Sequence, residues 1–149
     1  MSRHTRPQLA IIYDFDGTLA PGNMQEHDFI PQLGLKPGQF WEKAKAVAKE
    51  QRADEILAYM RVMLQEAEIR KVSVTRAAFA DFGRKVALFQ GVEEWFTRTA
   101  AFGRDNGLTI RHYIVSSGLR EMIEGTAIAS QFERIYASSF MYDHMGQRG

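Results

Sequence analysis

The chain has 149 residues, of which 45% are hydrophobic and 25% charged, a composition that suits one soluble globular domain and excludes a disordered or fibrous chain. Its formal net charge is +1, so nothing favours nucleic acid or an anionic membrane as a partner. Because the chain contains no cysteine, a disulfide framework and a thiolate zinc site are excluded. The absence of cysteine is also compatible with a reducing compartment.

The first predicted element is a buried strand at residues 9–13 (LAIIY), a short apolar run rich in β-branched residues. Loop chemistry follows in DFDGTLAPG, residues 14–22. A helical pattern then runs from Met24 to about Val86, and GLKPG at residues 34–38 interrupts it. This block is too long for a crossover loop, so we predict an inserted helical domain over residues 21–90.

The apolar residues of this helical block recur at helical spacing and indicate core or cap packing. They are Phe29, Ile30 and Leu33; Phe40, Trp41, Ala44, Val47 and Ala48; Ile56, Leu57, Met60, Met63 and Leu64; and Ala78, Phe79 and Phe82. Thr75 is the predicted N-cap of the last group. The charged run at residues 43–55 is typical of a solvated helix face.

After the helical block, strands and helices alternate. Gly91 opens a helix, DNGL at residues 105–108 forms a turn, and IRHYIV at residues 110–115 is a second strand. SSGLREMIEG makes a loop leading into a short helix, and RIYA at residues 134–137 is a third strand. This order predicts an α/β fold with about three parallel strands joined by right-handed crossovers, formed by residues 1–20 and 91–149.

Two pairs of polar residues follow the first two strands: Asp14 and Asp16, then Ser116 and Ser117. Ligands of an open parallel sheet bind beyond the carboxyl ends of its strands, so both pairs are expected at one edge. Two close carboxylates can divide the roles of nucleophile or metal ligand and of acid and base.

The loop around the aspartates suits a phosphate ligand. Gly17 permits a tight bend, and Thr18 offers a hydroxyl and an N–H group to an anion. A phosphate bound beside carboxylates needs a divalent cation, and Mg²⁺ suits one or two carboxylates plus phosphate oxygens.

DFDGTL resembles the first motif of the haloacid dehalogenase-like (HAD) superfamily, DxDxT after an apolar strand, and YIVSSGL resembles the second motif. Residues 91–118 look like the helix and strand that precede the second motif in the family's phosphatases. The resemblance implies a Rossmann-like core with a helical cap between the two motifs. It also implies a Mg²⁺-dependent phosphatase acting on a small phosphorylated metabolite.

The resemblance implies a role for each matching residue. Asp14 would be the nucleophile that forms an aspartyl phosphate, and its carboxylate would bind Mg²⁺. Asp16 would protonate the leaving oxygen and then activate water, and its backbone carbonyl would bind Mg²⁺. Ser116 would hydrogen-bond the phosphoryl group, and Ser117 and Gly118 would offer backbone N–H groups at a helix start. Because family members that displace halide lack the second aspartate, Asp16 favours phosphoryl transfer.

Two further family motifs have no match in this sequence: a basic residue beside the phosphate and a later acidic pair that completes the Mg²⁺ site. Arg120 and Arg134 lie too early in the chain to match the basic residue, and Asp143 has no second acidic residue beside it to form the pair. We therefore expect this chain to be the first part of a longer protein, with impaired activity by itself. An incomplete sheet would leave an edge uncovered, which favours self-association.

Other interpretations remain open. A phosphomutase would share the first step, with a substrate hydroxyl replacing water, and a non-catalytic phosphate-binding or interaction module is the alternative outside enzymes. His27, His112 and His144 lack the spacing of metal ligands. Cap residues near the loop, namely Asn23, Met24 and Glu26, are further candidates for substrate contact. The polar start lacks a signal peptide and no apolar run could span a bilayer, which favours a cytoplasmic protein.

Overall fold

A parallel sheet forms the core of the fold. The computed structural model describes residues 6–147, so the outermost residues of the predicted core segments, 1–5 and 148–149, lie outside the described residues. The strands are β1 (Gln8–Tyr13), β2 (Thr109–Leu119) and β3 (Arg134–Ser138), and they are ordered β1-β2-β3 with both pairings parallel. This sheet confirms the predicted α/β fold with a partial Rossmann-like core.

Six α-helices lie outside the sheet within residues 6–147: α1 (Phe29–Gln32), α2 (Pro37–Gln51), α3 (Glu55–Arg70), α4 (Arg76–Arg84), α5 (Val92–Asp105) and α6 (Arg120–Gly125). Short 3₁₀ turns lie at Met24–Glu26 and Ala129–Gln131. Thr75 caps α4 as predicted, since its Oγ1 accepts a hydrogen bond of 3.1 Å from Ala78 N–H. Pro37, predicted within an interruption, is the first residue of α2, where its fixed φ suits a helix start. No helix within residues 6–147 is long and apolar enough to cross a membrane.

The second strand is longer than predicted. The sequence indicates a strand ending at Val115 and a loop beginning at Ser116, whereas β2 continues to Leu119. Its pairing with β3 is irregular between Val115 and Leu119 and resumes where Leu119 lies opposite Ser138. The prediction was wrong here because pairing with β3 overrides the loop-like composition of Ser-Ser-Gly.

The two faces of the sheet differ in burial. On one face Ile114 is fully buried, and its neighbour Ile135 on β3 is partly buried. On the other face Ile12, Val115 and Tyr136 are 64%, 55% and 53% exposed. Parallel sheets are normally covered on both faces, so this apolar face is bare within the described part of the chain.

A buried carboxylate joins α2 to α3. Glu66 on α3 is 2% exposed and pairs with Lys43 of α2 and, at 3.2 Å, with Arg70. The hydrogen bond from Lys43 lowers the pKa of Glu66, and the bond from Arg70 adds to this effect against the opposing effect of burial. The two helices therefore form a fixed hairpin, which lies within the predicted cap segment.

Helices α4 and α6 approach closely through two glycines. A Cβ atom on Gly83 would lie 1.9 Å from the carbonyl oxygen of Met122, and one on Gly125 would lie 2.0 Å from that of Ala80. Only glycine leaves room for this backbone contact. The contact joins residues 76–84 of the predicted cap segment to α6, and the proposed division into core and cap stays a prediction.

A hydrogen-bonded network fixes the end of β1 against β2 and α5. Trp95 Nε1–H donates to Tyr13 Oη at 2.7 Å, and Tyr13 Oη lies 2.8 Å from His112 Nδ1. Thr99 donates its hydroxyl to the Phe96 carbonyl, so its Oγ1 can accept from His112 Nε2–H at 3.4 Å. These contacts suit a neutral histidine with its proton on Nε2.

Burial at 8% exposure lowers the pKa of His112 below its ordinary value of about 6.5. As the pH falls, His112 therefore becomes protonated in the unfolded chain before it does so in the folded chain. Its contribution to the free energy of unfolding is complete above pH ~6.5 and decreases below that pH. We expect the free energy of unfolding to decrease less between pH 8 and pH 5 in His112→Gln than in the wild type. Urea denaturation at both pH values measures this difference.

The exposed His144 supplies the control for this measurement, because His144→Gln should keep the wild-type pH dependence. Asp16, whose pKa is raised to about 6, changes the free energy of unfolding with pH in the opposite direction. Because it does so equally in the wild type and in both variants, the effect of His112 is read from the difference between the proteins. Equal pH dependence in His112→Gln and the wild type would contradict the prediction.

Candidate active site

The loop after β1 folds as a tight turn around a buried ring. Phe15 is fully buried, and its carbonyl accepts hydrogen bonds from the N–H groups of Thr18 at 3.2 Å and Leu19 at 2.9 Å. Gly17 has a φ of +73° and donates its N–H to the Ala20 carbonyl at 2.7 Å. The N–H groups of Gly17 and Thr18 are therefore engaged within the turn, while the Thr18 hydroxyl has no hydrogen-bond partner in residues 6–147.

The two aspartates of this loop have different environments. Asp14 is exposed, and its Oδ1 accepts a hydrogen bond of 2.7 Å from Phe15 N–H. Asp16 is partly buried, and its Oδ1 accepts one of 2.8 Å from Met24 N–H. Burial raises the pKa of Asp16 to about 6, the charges of Asp14 and Glu26 add to this rise, and the Met24 bond opposes it. One exposed carboxylate thus lies beside a carboxyl that is protonated more readily.

The second motif lies in the irregular part of β2. Ser116 Oγ accepts a hydrogen bond of 3.0 Å from Gly118 N–H, which leaves the serine hydroxyl proton free to donate. The Gly118 N–H is engaged by this bond. A Cβ on Gly118 would lie 2.1 Å from Cε of Met24, and Met24 Sδ accepts a hydrogen bond of 3.3 Å from Leu119 N–H. Met24 thereby joins the loop after β1 to the end of β2.

A cavity of about 440 Å³ opens between the carboxyl ends of the strands and the α2–α3 hairpin. It is lined by Asp16, Asn23, Gln25, Trp41, Ala44, Lys45, Glu55, Ile56, Tyr59, Ser117 and Gly118. Of the predicted site residues, the cavity brings together Asp16, Ser117 and Gly118. The others lie nearby in the same loops but outside its lining: Asp14, Gly17, Thr18 and Ser116.

Several lining residues were not predicted as site residues. Tyr59 on α3 donates its hydroxyl to the Ser117 carbonyl at 2.6 Å, and burial, with the charge of Asp16, raises its pKa. Trp41, predicted to pack in the core or cap, is only partly buried, and Gln25 carried no signal in the sequence. Helical periodicity identifies apolar faces, and it does not reveal which residue of a face reaches a distant strand end.

The cap residues predicted as candidates for substrate contact differ in position. Asn23 lines the cavity, whereas Met24 packs on Gly118. Glu26 Oε1 accepts hydrogen bonds from Trp41 Nε1–H at 2.6 Å and from the Asn23 amide at 2.9 Å. Glu26 thus holds two lining residues in place.

The histidines have other contacts. His27 Nδ1 accepts a hydrogen bond of 3.2 Å from Ala87 N–H, and its Nε2 lies 2.8 Å from the Pro21 carbonyl. His112 belongs to the hydrogen-bonded network with Tyr13 and Thr99 that is described above. Over residues 6–147, no group of three or more His, Cys, Asp or Glu residues lies close enough to hold a metal ion. A metal at this site would depend on Asp14, Asp16 and ligands from a bound phosphate, a combination that Mg²⁺ accepts.

Comparison with known proteins gives the family. The family model for haloacid dehalogenase-like hydrolases matches residues 11–148. A Borreliella burgdorferi protein described as uncharacterized is 28% identical over 147 residues, covering 92% of this chain and 51% of that protein. The chain therefore spans about half the length of this curated relative.

Two solved structures share the fold. A phosphoserine phosphohydrolase-like protein from Francisella tularensis superposes with a TM-score of 0.54 at 21% identity, over 97% of this chain and 63% of that one. A HAD family hydrolase from Salmonella enterica serovar Typhi gives a TM-score of 0.57 at 14% identity, over 91% of this chain and 42% of that one. With its two aspartates after β1, its serines at the end of β2 and the match over residues 11–148, the chain belongs to the haloacid dehalogenase-like hydrolase family.

Proposed function

We propose that the protein to which this chain belongs is a Mg²⁺-dependent phosphatase that hydrolyses a small phosphorylated metabolite through an aspartyl phosphate. The observation that carries the proposal is the meeting of Asp16 with Ser117 and Gly118 in one cavity, directly beside Asp14. Family membership supports a hydrolase. The pairing of an exposed carboxylate with a more readily protonated carboxyl supports transfer of a phosphoryl group.

In the first displacement, Asp14 attacks the phosphorus atom with a carboxylate oxygen, and the bond from phosphorus to the ester oxygen breaks. Oδ2 suits this role because Oδ1 already accepts the Phe15 N–H bond. Asp16 gives its proton to the leaving oxygen, so the alcohol departs neutral. Ser116 donates its free hydroxyl proton to an oxygen of the transferring phosphoryl group, since Gly118 N–H occupies one lone pair of Oγ only.

In the second displacement, Asp16 accepts a proton from a water molecule that attacks phosphorus, and the bond to Asp14 breaks to release phosphate. The Asp14 carboxylate and the Asp16 carbonyl would hold Mg²⁺. The ion would offset the negative charge of the phosphoryl group. Asp16 thereby returns to its protonated form and Asp14 to its ionised form, ready for the next substrate.

The direct test measures release of phosphate from p-nitrophenyl phosphate by the full-length gene product. We expect turnover with Mg²⁺, its loss after treatment with a chelator, and its recovery when Mg²⁺ is restored. Turnover that the chelator leaves unchanged would contradict the metal dependence. Binding of phosphate without any turnover would favour the alternative, a non-catalytic phosphate-binding module, and transfer to a second substrate hydroxyl would favour a phosphomutase.

A further inference from the structure

Gln25 is a buried polar side chain in the cavity wall that the proposed mechanism leaves unused. It is 1% exposed, and its Oε1 has no hydrogen-bond partner in the described part of the chain. A buried amide without a partner costs free energy until a ligand or water completes its hydrogen bonds. Since the amide can rotate by 180°, it can offer either an acceptor or a donor to a bound molecule.

The backbone of Gln25 is fixed on both sides. Met24 N–H is bound to the Asp16 carboxyl, and Met24 Sδ accepts a bond from Leu119 N–H. On the other side, Glu26 is held by the Trp41 indole and the Asn23 amide. Because these contacts fix its neighbours and its own side chain is 1% exposed, Gln25 has little freedom to leave the cavity wall before a substrate binds.

The surroundings of Gln25 indicate what kind of group it meets. The same cavity wall contains the apolar side chains of Ala44 and Ile56, the Trp41 indole and the neutral amide of Asn23. Apart from Asp16, the charged lining residues are Lys45 and Glu55, and both are exposed to solvent. A cavity of about 440 Å³ has the size of pockets that enclose an organic ligand, so it has room for a leaving group beyond the phosphate.

We propose that Gln25 is a specificity-determining residue that hydrogen-bonds a neutral ring in the leaving group, such as a sugar or a nucleoside, while the apolar wall covers the face of that ring. This inference rests on the proposed phosphatase function and narrows its substrate class. We expect an ester whose ring hydrogen-bonds Gln25 to have a higher kcat/KM than an ester with an apolar ring of similar size, because the apolar ring leaves the amide without a partner.

The test compares phosphate esters that differ in the leaving group, with the full-length protein and its Gln25→Met variant. Glucose 6-phosphate and adenosine 5′-monophosphate carry neutral rings with hydrogen-bonding groups, phenyl phosphate carries a ring without them, and phosphoserine carries a small charged group. We expect wild-type kcat/KM to be higher for at least one of the first two than for phosphoserine. The variant should lower kcat/KM for that ester roughly tenfold, the effect of one lost hydrogen bond, and change it less than twofold for phenyl phosphate.

Gln65→Met, on an exposed position of α3 outside the cavity, is the matched control and should leave every value unchanged. If Gln25→Met fails to fold, Gln25→Leu also removes both hydrogen-bonding atoms of the amide and should show the same selective loss. A preference for phosphoserine, or equal losses for all esters, would overturn the inference.

Failure of the proposed phosphatase function would appear differently, as no turnover of any ester by the wild type. Calorimetry then decides on Gln25 alone, with glucose 6-phosphate and adenosine 5′-monophosphate as ligands. A roughly tenfold weaker affinity in Gln25→Met supports the inference, and equal affinities, or no binding to the wild type, overturn it.

Discussion

We expect the Asp14→Asn variant of the full-length protein to release essentially no phosphate from p-nitrophenyl phosphate, a loss of about 10³-fold or more in kcat. The amide has nearly the shape of the carboxylate, and its oxygen can still accept the Phe15 N–H bond. The turn around Phe15 is therefore retained. In the proposed mechanism the variant lacks the nucleophilic oxygen, so no aspartyl phosphate would form and neither displacement would proceed.

Asp105→Asn at the exposed end of α5 is the control and should retain wild-type activity. Unchanged thermal unfolding of Asp14→Asn would show that the loss is chemical. Labelling with a phosphate-labelled substrate should trap a hydroxylamine-sensitive phosphoenzyme in the wild type and none in the variant. If Asp14→Asn keeps its activity, the nucleophile is a different residue.

The largest expected effect on stability is that of Gly83→Ala. The new methyl group would overlap the carbonyl oxygen of Met122 at 1.9 Å, and this oxygen belongs to the backbone of α6, which cannot rotate away like a side chain. The helices must separate, and the packing of the buried Phe79 and Met122 is lost with them. We expect a loss of about 3 kcal/mol in the free energy of unfolding, which lowers Tm by roughly 10 °C.

Gly125→Ala should have a similar effect, because its methyl group would overlap the carbonyl of Ala80 from the opposite side of the same contact. Gly38→Ala is the control: it lies in α2 with no atom within 4 Å of the added methyl, and alanine favours the helix by about 0.5–1 kcal/mol. Thermal unfolding measures all three variants. A Gly83→Ala protein as stable as the wild type would show that α4 and α6 are not packed as described.

The sequence predicts the positions of the three strands well, apart from the end of β2, because each strand rests on a local pattern. An apolar β-branched run identifies β1, and the rule that parallel strands end at one edge places Asp16 and Ser117 together. Both residues and Gly118 line one cavity in the structure, and their roles stay a prediction. No spacing in the sequence shows how closely these residues approach one another, so the cavity that they share could not be predicted.

The contributions of the helical hairpin could not be predicted in the same way. Tyr59 reaches Ser117 across 58 residues of sequence, and Trp41 reaches Glu26 across 15. Both contacts depend on how α2 and α3 pack over the strand ends. A tyrosine or tryptophan in an amphipathic helix is equally typical of core packing, so periodicity alone does not distinguish the two roles.

The contact between Met24 and Gly118 also constrains which sequences can replace this one. The methionine fills the space that any side chain at position 118 would need, so the volumes at positions 24 and 118 are shared. A side chain at 118 would displace the Met24 methyl group, which is the flexible end of its side chain, so we expect homologues with alanine or serine at 118 to favour a shorter or differently placed side chain at 24. The two positions should therefore covary in size although 93 residues separate them.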